Sequence, residues 1–122
     1  MQESKQIKIL IMIGDSEIPA TLNDNPTTND FISLLPLELK LDDYASTEKI
    51  SYLPRKLTTK DAPKGFDPSV GDITYYAPWG NLAIFYKDFG HANGLIYLGK
   101  IEKDIEILKT SGSLNVRIEL RK

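Results

Sequence analysis

Hydrophobic side chains at every second residue recur from one end of this chain to the other. That period restricts the fold to one built from half-buried strands. Ile7, Ile9, Ile11 and Ile13 alternate near the start, and Leu10 and Met12 add apolar groups to the opposite face. Leu37, Leu39 and Leu41 alternate with Glu38, Lys40 and Asp42, and Leu114, Val116, Ile118 and Leu120 close the chain in the same way. Successive strand side chains point to opposite faces, so each run has one apolar face and one wetter face. Further runs at 17–22, 49–53, 72–77, 82–87 and 95–101 bring the total to about eight strands. Strands this many and this closely spaced predict a mainly β domain, a barrel or a sandwich, and closure would remove exposed edges. Pro19 lacks an N–H and is expected at an edge or bulge.

One helix interrupts the pattern. Phe31, Leu34 and Leu35 fall at i, i+3 and i+4, predicting an amphipathic helix over 28–35 that plugs or covers the sheet. Thr27 is its expected N-cap, Asp30 the capping-box partner and Pro36 the stop. Ile101, Ile105 and Leu108 have helical spacing and predict one helical turn over 103–108.

At 122 residues the chain is expected to form a single domain, with the polar residues 1–6 flexible. There is no cysteine, which excludes disulfides and thiolate metal sites. With one histidine as well, no metal centre and no cofactor are expected. Fifteen basic residues are scattered among seventeen acidic ones, so no basic stripe marks a nucleic-acid footprint. The longest apolar run, 9–13, is too short for a membrane span. If the chain begins at its natural Met1 it is expected in the cytoplasm; a removed leader would instead mean export or a lipid anchor. The expected assembly is a monomer or weak dimer.

The centre of the chain, GDITYYAPWGNLAIF at 71–85, reads as two strands joined by a Pro78-Trp79-Gly80-Asn81 corner. It holds the sole tryptophan, placed in a turn where polar residues are usual. A loop of about a dozen residues, 58–70, leads into it, and loops of that length in compact domains are often functional. A second polar connection, 88–94, follows.

Several blocks in this order resemble the cyclophilin-like β-barrel. IMIGDSEIPATL is similar to the first cyclophilin hairpin, NPTTNDFISLL to the helix after it, VGDIT to the Gly-Asp strand start, and LIYLGKIEKDIEIL to the late strand and following turn. More closely, TLNDNPTTNDFISLLPLELKLDDY, TEKISYLPRKL and GDITYYAPWGNLAIFYKDFG resemble a small bacterial family of cyclophilin-like fold proteins with no established reaction. The resemblance implies a closed antiparallel barrel. Cyclophilin isomerases use an Arg, a Gln, a Phe-rich floor, and a Trp and His at the rim. The same alignment places Asn81 and Ala83 where Gln and a floor Phe are expected. Leu95 falls near the rim His, with His91 a few residues too early, and Arg55 lies just past the end of its strand. No isomerase residue carries over position by position.

The candidate site residues follow from chemistry. Trp79 is either a ligand-facing platform or a cap over the barrel end above the helix. Arg55 either offers its planar fork to a carbonyl or carboxylate, or pairs with Asp61 or Asp67. His91 is either an acid–base group or a solvated loop residue. Alternation puts Tyr75 with Ile73, Tyr76 with Thr74, and Phe85 opposite Tyr86; Phe89 and Tyr52 complete the aromatic set. Asp72 is expected to cap loop N–H groups. The expected groove is therefore Tyr52, Arg55, Tyr75, Trp79, Asn81, Phe85 and His91. The expected function is a non-catalytic module binding a peptide or small molecule. The alternative is a divergent peptidyl-prolyl isomerase in which Arg55 polarises the amide.

Overall fold

A computed structural model describes residues 6–110 and 112–121. In chain order the elements are β1 (Gln6–Ile13), β2 (Ser16–Asn23), α1 (Pro26–Ile32), β3 (Leu37–Tyr44), β4 (Glu48–Tyr52) and β5 (Gly65–Phe66). There follow β6 (Asp72–Tyr76), β7 (Asn81–Phe85), β8 (Ala92–Asn93), β9 (Leu95–Ile101), a 3₁₀ turn (Ile105–Lys109) and β10 (Leu114–Leu120). Eight of the strands close into an antiparallel barrel in the order β1-β10-β3-β4-β7-β6-β9-β2, with β2 returning to β1. The expected flexible tail falls on residues that, apart from Gln6 in β1, lie outside the described ones.

The period-two pattern fills the cylinder. Ile9, Ile11 and Ile13 meet Val116, Ile118, Ile73, Leu82 and Ile84 inside, and Phe31 of α1 joins the same cluster. Each such side chain contributes about 1.5–3 kcal/mol of burial. Strand β7 is buried at all five positions because both of its faces are covered. Leu82 and Ile84 face the core, while Ala83 and Phe85 form a second apolar cluster with Leu95 on the outer wall.

Strand β4 sends an amine inward. Lys49 pairs in register with Ile84 and is 0% exposed. Its Nζ donates to the carbonyls of Thr110 and Gly112, both at 2.7 Å, and meets the Asp43 carboxylate at 3.1 Å. The Tyr86 hydroxyl donates to Asp43 at 2.7 Å. A buried ammonium is tolerated there because its donors are satisfied and paired.

Several local expectations are corrected. The helix starts two residues earlier than predicted and stops at Ile32, because Asn25 rather than Thr27 is the N-cap. Asn25 Oδ1 accepts from the Thr28 N–H at 2.8 Å, and Pro26 suits the first helical turn, where no N–H is needed. Thr27 is buried and donates its hydroxyl to the Thr58 carbonyl, while Asp30 accepts from the Thr58 N–H. Leu34 and Leu35 continue only as single turns, with Leu34 N–H donating to Phe31 O and Leu35 N–H to Ile32 O. The late helical turn is 3₁₀ and shifted to Ile105–Lys109. Pro19 is not at an edge: it pairs with Leu10 within β2 and lies one residue past the β2–β9 ladder, where its carbonyl accepts from Glu102 N–H. Asp72 does cap its loop, accepting from Ser69 N–H at 2.8 Å. The connections 58–70 and 88–94 pair with each other through β5 and β8, a ribbon too short to leave a period in the sequence.

Candidate functional site

The corner between β6 and β7 is held by its backbone. Gly80 has φ +70 and its N–H donates to the Tyr76 carbonyl at 2.9 Å. Ala77 N–H donates to the Gly94 carbonyl at 2.9 Å. Gly94 has φ +85, and a Cβ there would stand 2.6 Å from Pro78 Cδ, so the proline ring packs on a bare Cα. This fixes Trp79 pointing outward at 46% exposure. Its indole stands edge-on to Tyr44, centroids 5.6 Å apart at 82°, and to Tyr76, 5.3 Å apart at 82°.

Beneath these three rings runs a groove of about 200 Å³ on the outer barrel wall. Ile50, Phe85, Phe89, Ala92 and Leu95 supply its apolar lining. Besides the tyrosine hydroxyls and the indole N–H, it is lined by one carboxylate, Glu48, and one amide, Asn81. Glu48 lies opposite Phe85 in the β4–β7 ladder, and Asn81 lies opposite Tyr76 in the β6–β7 ladder. The two therefore mark opposite ends. Burial pushes the Glu48 carboxyl up, against a smaller lowering by the Thr47 hydroxyl, and no Lys or Arg pairs with it among the described residues.

Asn81 is 1% exposed, and its Nδ2 donates to the Leu82 carbonyl at 3.1 Å. Its Oδ1 is the one buried side-chain polar atom without a partner among the described residues. An unsatisfied buried acceptor costs about 1–3 kcal/mol, so it calls for a ligand or a water. A larger cavity of about 290 Å³ lies between the start of α1 and Phe66, but no such atom faces it.

Of the predicted site residues, Trp79, Asn81 and Phe85 meet in this groove. Tyr75 does not: it is 1% exposed in the barrel core, where its hydroxyl accepts from Leu57 N–H at 3.0 Å. Arg55 pairs with Asp30 at 2.7 Å, not with Asp61 or Asp67, and donates to Ser33 Oγ at 2.9 Å; it does not line the groove. Its fork ties the segment after β4 to α1. Tyr52 is 65% exposed and outside the groove. His91 also lies outside, its Nε2 3.0 Å from Asn93 Oδ1 and its ring packed over Gly65. Trp79 is no cap over the helix; its ring neighbours are Tyr44 and Tyr76.

Tyr44, Glu48, Ile50 and Tyr76 were absent from the predicted set. Glu48 and Ile50 were reachable, since they share the outer face with Ala83 and Phe85 once β4 is paired to β7. Tyr44 left no such signal, because its approach to Trp79 spans β4. No group of three or more His, Cys, Asp or Glu suited to a metal occurs among the described residues, and none of their helices is long and apolar enough to cross a membrane.

A closed antiparallel barrel with an aromatic groove on its outer wall is the class of protein defined by this geometry. The profile of the Cyclophilin-like family matches residues 11–119, and the chain belongs to that family. Among solved structures, the hypothetical protein AF2241 from Archaeoglobus fulgidus, a solution structure, is similar with a TM-score of 0.69. The two share 16% identity over 98% of each chain, a likeness of fold alone. No curated protein matches the chain.

Proposed function

We propose that this protein is a non-catalytic binding domain whose outer-wall groove receives a small molecule or a short peptide side chain. The observation that carries the reading is an apolar groove walled by a half-exposed indole and lined by Asn81, whose buried Oδ1 has no partner among the described residues. Apolar grooves with a few convergent polar groups are the usual form of ligand sites. At about 200 Å³ the space is smaller than the ~300–1,000 Å³ of drug-sized pockets, which favours a fragment-sized ligand. The isomerase alternative assigned the amide-polarising role to Arg55, whose guanidinium is engaged by Asp30 and Ser33 away from the groove. That alternative is the weaker reading.

The test is a fragment screen followed by the indole N–H resonance of Trp79, unambiguous because it is the sole tryptophan. Binding fragments should shift that resonance and lose affinity in Trp79→Ala, while Arg55→Ala binds them as wild type does. Exchange spectroscopy on a Xaa-Pro peptide should show no acceleration over the uncatalysed barrier of ~18–20 kcal/mol. Acceleration lost in Arg55→Ala would reject the non-catalytic reading.

A further inference from the structure

We propose that the groove selects an elongated organic cation. Its ammonium would sit beside Glu48 and the Tyr44–Trp79 wall, its apolar stem over Ile50, and a donor at its far end on Asn81 Oδ1. The inference rests on the groove being a ligand site and adds the chemical class of that ligand.

Three observations converge. First, Glu48 is the only charged side chain that lines the groove, and it is half-buried without a basic partner among the described residues. A buried carboxylate gains from a cation and repels an anion. Second, the walls are aromatic rings set at steep angles to one another, Tyr44 against Trp79 and Trp79 against Tyr76. Aromatic faces attract ammonium groups through the ring quadrupole, and indole does so best. Third, each end offers an acceptor: an ionised carboxylate has no proton to give, and Asn81 Oδ1 has no partner among the described residues, while its Nδ2 already gives one N–H to Leu82. A ligand with a donor at each end matches both acceptors. Glu48 faces Phe85 and Asn81 lies four residues away on β7, about 13 Å along the strand, so the molecule is long with an apolar middle.

Four linear probes separate charge, length and donor count: 1,6-diaminohexane, n-hexylamine, 1-hexanol and hexanoate, titrated at neutral pH against the Trp79 indole resonance. The expected order is diamine tightest, then the monoamine, then the alcohol, with hexanoate not binding. Glu48→Gln should weaken the diamine by about tenfold, the scale of one charge-assisted hydrogen bond, and bring monoamine and alcohol level. Asn81→Leu should bring the diamine down to the monoamine. Amide spectra of both variants report whether the barrel is intact. Hexanol or hexanoate binding as tightly as hexylamine, or Glu48→Gln leaving the amines unchanged, would overturn the cation assignment and leave the groove standing. So would neutral or anionic fragments shifting Trp79 when no amine does. If fragments of every charge leave Trp79 unmoved, the groove reading itself fails.

Discussion

The indole of Trp79 meets the ring of Tyr44 edge-on at 5.6 Å, joining the β6–β7 corner to the end of β3 across the intervening strand β4. Neither residue is buried, so the contact is a wall rather than a piece of core. Removing Tyr44 should therefore release the indole without unfolding the barrel. Tyr44→Ala is expected to cost about 0.5–1.5 kcal/mol, the worth of an aromatic pair. Trp79 fluorescence should shift to the red and the affinity of any groove ligand should fall. A stability loss with an unchanged emission maximum would argue against the wall.

Lys49 carries the opposite expectation. Its stem is wholly buried and its Nζ satisfies two carbonyls and the Asp43 carboxylate. Lys49→Ala should cost about 3 kcal/mol, the lower end of the range for breaking a buried pair, because the Asp43 side chain is 34% exposed. Lys49→Met keeps the stem and should cost less. Denaturant midpoints of both variants test this, and groove binding should be unaffected in either.

Tyr86 makes stability depend on alkaline pH. Burial, then the hydrogen bond to Asp43, raises its hydroxyl from 10.0 to about 12. The folded state holds the proton where the unfolded chain has lost it, so the contribution is complete below pH 10 and falls as pH rises toward about 12. Tyr86→Phe removes that dependence and costs about 0.5–1.5 kcal/mol near neutrality for the lost hydrogen bond. The difference between wild-type and variant midpoints, measured on either side of pH 10, should shrink as pH rises. A constant difference would show that Tyr86 titrates normally.

Gly94 positions the corner from outside it. With φ +85 and Pro78 Cδ 2.6 Å from any added Cβ, Gly94→Ala must push the proline away. The expected cost is about 1–3 kcal/mol from crowding and backbone strain. The Trp79 indole resonance should move even without ligand. An unmoved resonance would mean that the corner holds its shape without this packing.

How much was legible divides along a physical line. The alternation of Ile9, Ile11 and Ile13, and of Val116 and Ile118, reports which face of a strand is dry, because that information is local and repeats every second residue. The eight strands, the single helix and the closed barrel followed from it and from the family resemblance. Helix bounds were misplaced because Thr27 and Asp30 look like caps but serve Thr58 and Arg55, partners distant in the chain.

By itself the amino-acid order determined the strand pattern, the position of the aromatic corner, the lack of thiol chemistry and, through the family resemblance, the barrel; it did not decide that the indole faces outward. Only the tertiary structure decided which residues share the groove. Tyr75 went inward and Arg55 to the helix, while Glu48 arrived from β4, which pairs with β7, and Tyr44 from β3, one strand further away. A strand's period says which face a side chain takes; which other side chains it meets there depends on the register and closure of the whole sheet.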